Sequence, residues 1–251
     1  MSRVLLAEWI KLRSLRSTWY TLGCLFFVGL GITALSSNAA QQAYAEAGSA
    51  WDPTAHSLTT YIVAQLIVGV LGILVVTSEF ATGLIRTTLT ATPRRHRVLA
   101  AKVVLAAAVA VVAGQVLMFG AFLIGQPLLA RQGVPNAGLG DPGVLRAVLG
   151  GGLYLGLIAL LSVGLGTIMR ATAGALATLV GIVFLVPALA GLFPSWMKGL
   201  FDFWPTIGGS AVLGTVPDPD FPHPWWNLAG MAVGVVAVLA AAFVVLRRRD
   251  V

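Results

Sequence analysis

Residues 58–97 read LTTYIVAQLIVGVLGILVVTSEFATGLIRTTLTATPRRHR. The first twenty, Leu58 to Thr77, are almost wholly apolar and carry no charge. At 1.5 Å per residue such a block covers about 30 Å, the thickness of a bilayer's hydrocarbon core. The rest changes character at Glu79 and ends in the basic run Arg94-Arg95-His96-Arg97. A membrane span that runs into a basic surface segment is the reading that decides the fold, and the remainder of the chain repeats it.

Similar blocks run from Trp19 to Ser36, Val98 to Leu129, Val144 to Met169, Ala173 to Phe193 and Trp225 to Leu246. With Leu58 to Thr77 they predict an all-α integral membrane protein with about six transmembrane helices in one domain, residues 1–251. Val98 to Leu129 is long for one straight span, and Gly125-Gln126-Pro127 marks a place to kink; a single kinked helix is expected. Composition agrees: 58% of the 251 residues are hydrophobic and 10% charged, against roughly 25% charged in a soluble domain. The first block is long for a signal peptide and is read as a retained helix. Its one cysteine, Cys24, has no partner for an internal disulfide.

The net charge of +7 does not point to nucleic acid, because the basic residues lie at block ends rather than on one exposed face. They orient the chain instead. Six spans with the N-terminus inside put Arg3, Lys11, Arg13, Arg16, Arg86, Arg94, Arg95, Arg97, Lys102, Arg170, Arg247, Arg248 and Arg249 on the cytoplasmic side and only Arg131, Arg146 and Lys198 outside. Both termini are therefore expected in the cytoplasm. Outside, Asp52-Pro53-Thr54 has the form of a helix start with Thr54 or Asp52 as its cap. The last outer segment, Pro194 to Pro224, is too apolar for a plain loop. Trp196, Met197, Phe201, Trp204, Val212 and Leu213 suit the headgroup layer, so re-entrant or interfacial helices are expected there.

Residues for chemistry are scarce. The carboxylates fall in loops or tails, apart from Glu79 at the inner end of the second span, and none is expected at the midplane. Gln65 and Gln115 are expected to bond neighbouring helices. There is no zinc-protease pair, no nucleophile elbow and no phosphate-binding Gly-Lys-Ser/Thr loop. His56 and His223 lack ligand spacing, so no metal site is assigned. The chain is read as no enzyme, with no cofactor of its own. Gly152-x-x-x-Gly156 and Gly230-x-x-x-Gly234 allow close helix packing, within one chain or between two.

The loop of residues 79–97 resembles the cytoplasmic loop of the type-two ATP-binding-cassette (ABC) permeases: Glu79, Phe80, Gly83, Leu84 and Ile85, then Thr92-Pro93-Arg94-Arg95, fill the places of that pattern. Leu84 stands where many members have Thr. The start, Ala7-Glu8-Trp9-Ile10-Lys11-Leu12-Arg13-Ser14, is similar to the interfacial helix of actinobacterial members, and Leu5, Trp9 and Leu12 fall on one stripe at i, i+4 and i+7. The resemblance implies a permease of a bacterial plasma membrane that pairs with a second permease and two copies of an ATP-binding subunit, which would hold ATP and Mg. It implies that Glu79, Phe80, Gly83, Leu84, Ile85 and Arg86 form a coupling loop against that subunit, with Leu5, Trp9 and Leu12 on an interfacial helix near the same partner. An amphipathic or lipid-like substrate moving outward, a drug, lipid or peptide, is the expected cargo. An ion-coupled carrier or channel, and a membrane anchor or assembly factor that transports nothing, remain the alternatives.

Overall fold

The computed structural model describes residues 2–91 and 95–248, and all regular structure among them is helical. Helix α1 (Ser2–Ser14) ends at Leu15, whose extended backbone starts α2 (Arg16–Asn38). The short α3 (Ala40–Ala47) follows, then α4 (Pro53–Leu58) and α5 (Tyr61–Ala81). Of the two cap candidates at this helix start, Asp52 caps α4 by accepting a hydrogen bond from the Ala55 N–H, with Pro53 in the first turn. Helix α6 (Leu84–Ala91) separates α5 from α7 (Arg95–Arg131). The expected long block is one helix of 37 residues with Pro127 inside it. At 1.5 Å per residue it measures about 55 Å, so it projects beyond a hydrocarbon core of about 30 Å.

Helix α8 (Val144–Met169) is the centre of the bundle: 78% of its most apolar window is buried, against 17% for α2 and 22% for α12 (Pro224–Arg248). It packs on α5, α7 and α12. Its glycines permit this. Gly152 meets Gln115 and Gly156 meets Val111, both on α7, so this small-residue pair serves packing within the chain. Gln65 accepts a hydrogen bond from the buried Tyr154 hydroxyl, and Gln115 donates to the Leu149 carbonyl, so both glutamines join neighbouring helices.

Among the described residues, five helices are long and apolar enough to cross a membrane. The block expected as a further span, residues 173–193, forms an apolar helix shorter than those five, Thr172–Ala188. It consists of α9 (Thr172–Val180), a π-helical stretch (Gly181–Leu185) and α10 (Val186–Ala188). Wide π turns alter the backbone pairing, and here the Ile182 and Val183 carbonyls accept from Trp204 Nε1 and Thr206 Oγ1, each at 2.7 Å. The segment that follows forms short helical turns, including α11 (Lys198–Phe201) and Gly209–Leu213. Val212 and Leu213, expected in the headgroup layer, are buried against Gly150 and Gly151 of α8. They pack there because paired glycines leave room for a β-branched side chain, a complementarity that hydropathy does not carry. Trp196 remains exposed.

The two described ends of the chain lie at the same end of the bundle. Arg95 at the start of α7 donates to the Leu246 carbonyl near the end of α12, and α1 packs on α7.

Candidate functional site

The loop singled out in the sequence grows from the end of α5. Thr82 caps that helix, and Gly83, at φ +71°, turns the chain into α6. A side chain is strained in this left-handed region, which glycine enters freely. Beyond the turn, Leu84 is 56% exposed while its neighbour Ile85 is buried. The Phe80 ring lies under the Arg170 guanidinium, 5.3 Å from its centroid. The Arg86 side chain and all of Thr92, Pro93 and Arg94 fall outside the described residues.

Glu79 does not stand alone. Its Oε1 lies 2.9 Å from both Lys11 Nζ and Lys102 Nζ. Glu8 takes the same two lysines on separate oxygens, Oε1 to Lys11 at 2.8 Å and Oε2 to Lys102 at 2.7 Å. The four side chains thus close a ring of alternating charge that joins α1, α5 and α7. The Val75 carbonyl, 3.1 Å from Lys102 Nζ, adds a third oxygen around that ammonium. Glu79 Oε2 is buried without a hydrogen-bond partner. Glu8, Glu79 and Lys102 are all buried, whereas 43% of the Lys11 side chain is exposed.

Burial pushes the Glu8 carboxyl up, but Lys102 and Lys11 together outweigh it and hold the group below its ordinary value of 4.5. For Lys11 burial acts downward, and hydrogen bonds to Glu8 and Glu79 raise it above 10.5. Both groups are therefore held in their charged forms.

The stripe read from the sequence of α1 is not buried evenly: Trp9 is 42% exposed, Leu5 is half-buried and Leu12 is buried, and the residues turned fully inward are Glu8 and Leu12, one turn apart. Lys102 draws the acidic residue inside, where hydropathy alone would put it at the surface. Glu8, assigned to the N-terminal tail, is part of the bundle. A signal for this existed: Lys102 sits several residues inside an apolar block, and a buried ammonium requires a carboxylate. What the sequence hid was that the partner lies 94 residues away.

No cluster of three or more His, Cys, Asp or Glu side chains suited to a metal occurs among the described residues. Comparison with curated proteins finds no match. The family model described as "ABC-2 family transporter protein" matches residues 4–188, from the first helix through α10, and so takes in the charged ring and α6. The chain, a helical bundle with five membrane-length helices among its described residues and matched over well above half its length, belongs to the ABC-2 transporter family and is a permease of that type.

Proposed function

We propose that the chain is the membrane-spanning half of an ABC exporter, working with a second permease and two copies of a separate ATP-binding subunit, and that α6 is the element that subunit grips. The observation that carries this reading is the form of α6: a short helix held on a glycine turn at the end of α5, with Leu84 outward and Ile85 inward. An exposed leucine beside a buried isoleucine provides an apolar contact for a partner and an anchor for the helix itself. The end of the bundle that carries α1, α6 and the described termini is the cytoplasmic one on this reading, as the basic residues require. The chemistry of ATP hydrolysis then belongs to the partner, and this chain converts closure of the ATP-binding subunits into movement of its helices.

The cargo is amphipathic or lipid-like. Among the span-borne polar groups, Gln65 and Gln115 are engaged with neighbouring helices, and the buried charges are gathered in one neutral ring.

The test is capture of the tagged chain in mild detergent from its native cells, with mass spectrometry and an ATPase assay of the eluate. The wild-type chain should bring down an ATP-binding subunit in stoichiometric amount. Gly83→Pro, which cannot adopt φ +71°, and Leu84→Asp should each reduce that capture about tenfold or more. An eluate free of ATPase from the wild-type chain would overturn the reading.

A further inference from the structure

A cavity of about 310 Å³ lies beside the charged ring, bordered by α1, α2, α5, α6 and α7. Its apolar walls include Leu12, Leu71, Leu74, Val75, Leu84 and Leu105. Where α1 turns into α2 the lining changes to hydroxyls, Ser14, Ser17, Thr18 and Thr21. Arg13 and Arg16 flank this lining rather than forming part of it: each immediately precedes one of these serines, is exposed, and has no acidic partner among the described residues. The ring itself is neutral, two carboxylates against two ammoniums, so these arginines supply the uncompensated positive charge at this elbow.

Depth links the two halves of the site. Helix α2 is a membrane-length helix that starts at Arg16, so the elbow lies at headgroup level and the leucine-lined space at the level of the adjoining acyl chains. Trp19 supports this placement: it is exposed, as expected of an interfacial anchor, and its Nε1 donates to the Arg13 carbonyl at 2.9 Å, tying the elbow together. A cavity with leucine walls and hydroxyls at its elbow, flanked on the surface by two exposed arginines, matches an anion carrying a hydrocarbon tail.

We propose that this cavity holds one acyl chain of an anionic membrane phospholipid, whose phosphate is met by Arg13 and Arg16 with the Ser17 and Thr18 hydroxyls. That the lipid comes from the cytoplasmic leaflet rests on the orientation given under Proposed function; the site itself does not. Because Thr82 and Leu84 also border the cavity, the bound lipid touches the turn into α6 and biases where that helix sits.

The experiment is native mass spectrometry of the full chain, released from bilayer nanodiscs made with equal phosphatidylglycerol and phosphatidylcholine. The wild-type chain should retain one phosphatidylglycerol, preferred roughly thirtyfold over phosphatidylcholine, since each basic residue near the surface adds roughly fivefold. Arg13→Gln with Arg16→Gln changes only exposed side chains and should bring the two lipids near parity. Leu105→Trp and, separately, Leu74→Phe fill the cavity and should abolish retention, with elution and melting temperature reporting that the fold persists. Equal retention of both lipids by the wild-type chain, or an undiminished preference in the arginine variant, would overturn the proposal. No ATP-binding subunit is needed, so a chain that keeps the lipid but captures no ATPase removes the exporter reading and leaves this site standing.

Discussion

Lys102 is a buried ammonium, 4% exposed. An ammonium removed from water costs several kcal/mol, and the two carboxylates and one carbonyl around it offset that cost only while all are present. Glu8→Gln and Lys102→Met are therefore each expected to destabilise the protein by about 3–5 kcal/mol, because each strands charge in the interior. The double variant should lose clearly less than the sum, as the mutual charge is removed with its partner. Unfolding of the four proteins in one detergent measures this, and strictly additive losses would show that the pair is not coupled. The same ring predicts a pH dependence. Folding favours ionised Glu8, so that contribution is complete above the ordinary carboxylate value of 4.5 and is lost as the pH falls below it through the lowered folded value. An acid midpoint that does not move in Glu8→Gln would contradict it. Residue by residue, Lys102 inside its apolar block signals only that some carboxylate is required; that Glu8, which reads as a tail carboxylate, supplies it is decided when the helices pack.

At the scale of elements, contact between α5 and α8 depends on missing side chains. A Cβ at Gly72 would stand 2.5 Å from the Ala159 carbonyl oxygen and 2.9 Å from Ser162 Cβ, and a backbone atom cannot rotate away. Gly72→Ala is expected to cost about 1–3 kcal/mol by overpacking. Gly234→Ala, where a Cβ meets nothing within 4 Å, should be neutral or slightly stabilising through helix propensity. Thermal unfolding of both decides the matter; equal effects would mean that the helices separate freely. The small-residue spacings were legible as a permission for close packing, but not their partners. Gly230 meets Phe203 of the preceding loop, whereas Gly234, one turn on, faces open space. The interrupted helix of residues 172–188 was hidden for a related reason. Its composition is that of a span, and the carbonyls of its π stretch find their donors in Trp204 and Thr206, outside the block.

For the whole molecule the remaining question is which end faces the cytoplasm, and the arrangement makes it simple to ask. Thr90, exposed on α6, and Lys198, on the segment between α10 and α12, serve as reporters. In a Cys24→Ser background, Thr90→Cys should react with an impermeant maleimide only after the membrane is opened, and Lys198→Cys should react in intact cells. The reverse pattern would invert the orientation and remove α6 from the reach of a cytoplasmic ATPase.

The amino-acid sequence by itself determined that this chain lives in a bilayer as helices. Long uncharged blocks must enter hydrocarbon, and a backbone there satisfies its own polar groups chiefly by forming helix. It determined a capped helix start at Asp52-Pro53-Thr54 and the single long α7 for the same reason, since each follows from forces acting within a few residues. Tertiary structure alone decided that Glu8 and Leu12 turn inward while Trp9 looks out, and that Val212 and Leu213 reach the core. It also decided that Lys11, Lys102, Glu8 and Glu79 close on one another. These depend on the angle and register at which distant helices meet, and the free energy of a buried charge is set by whichever opposite charge that packing brings within 3 Å.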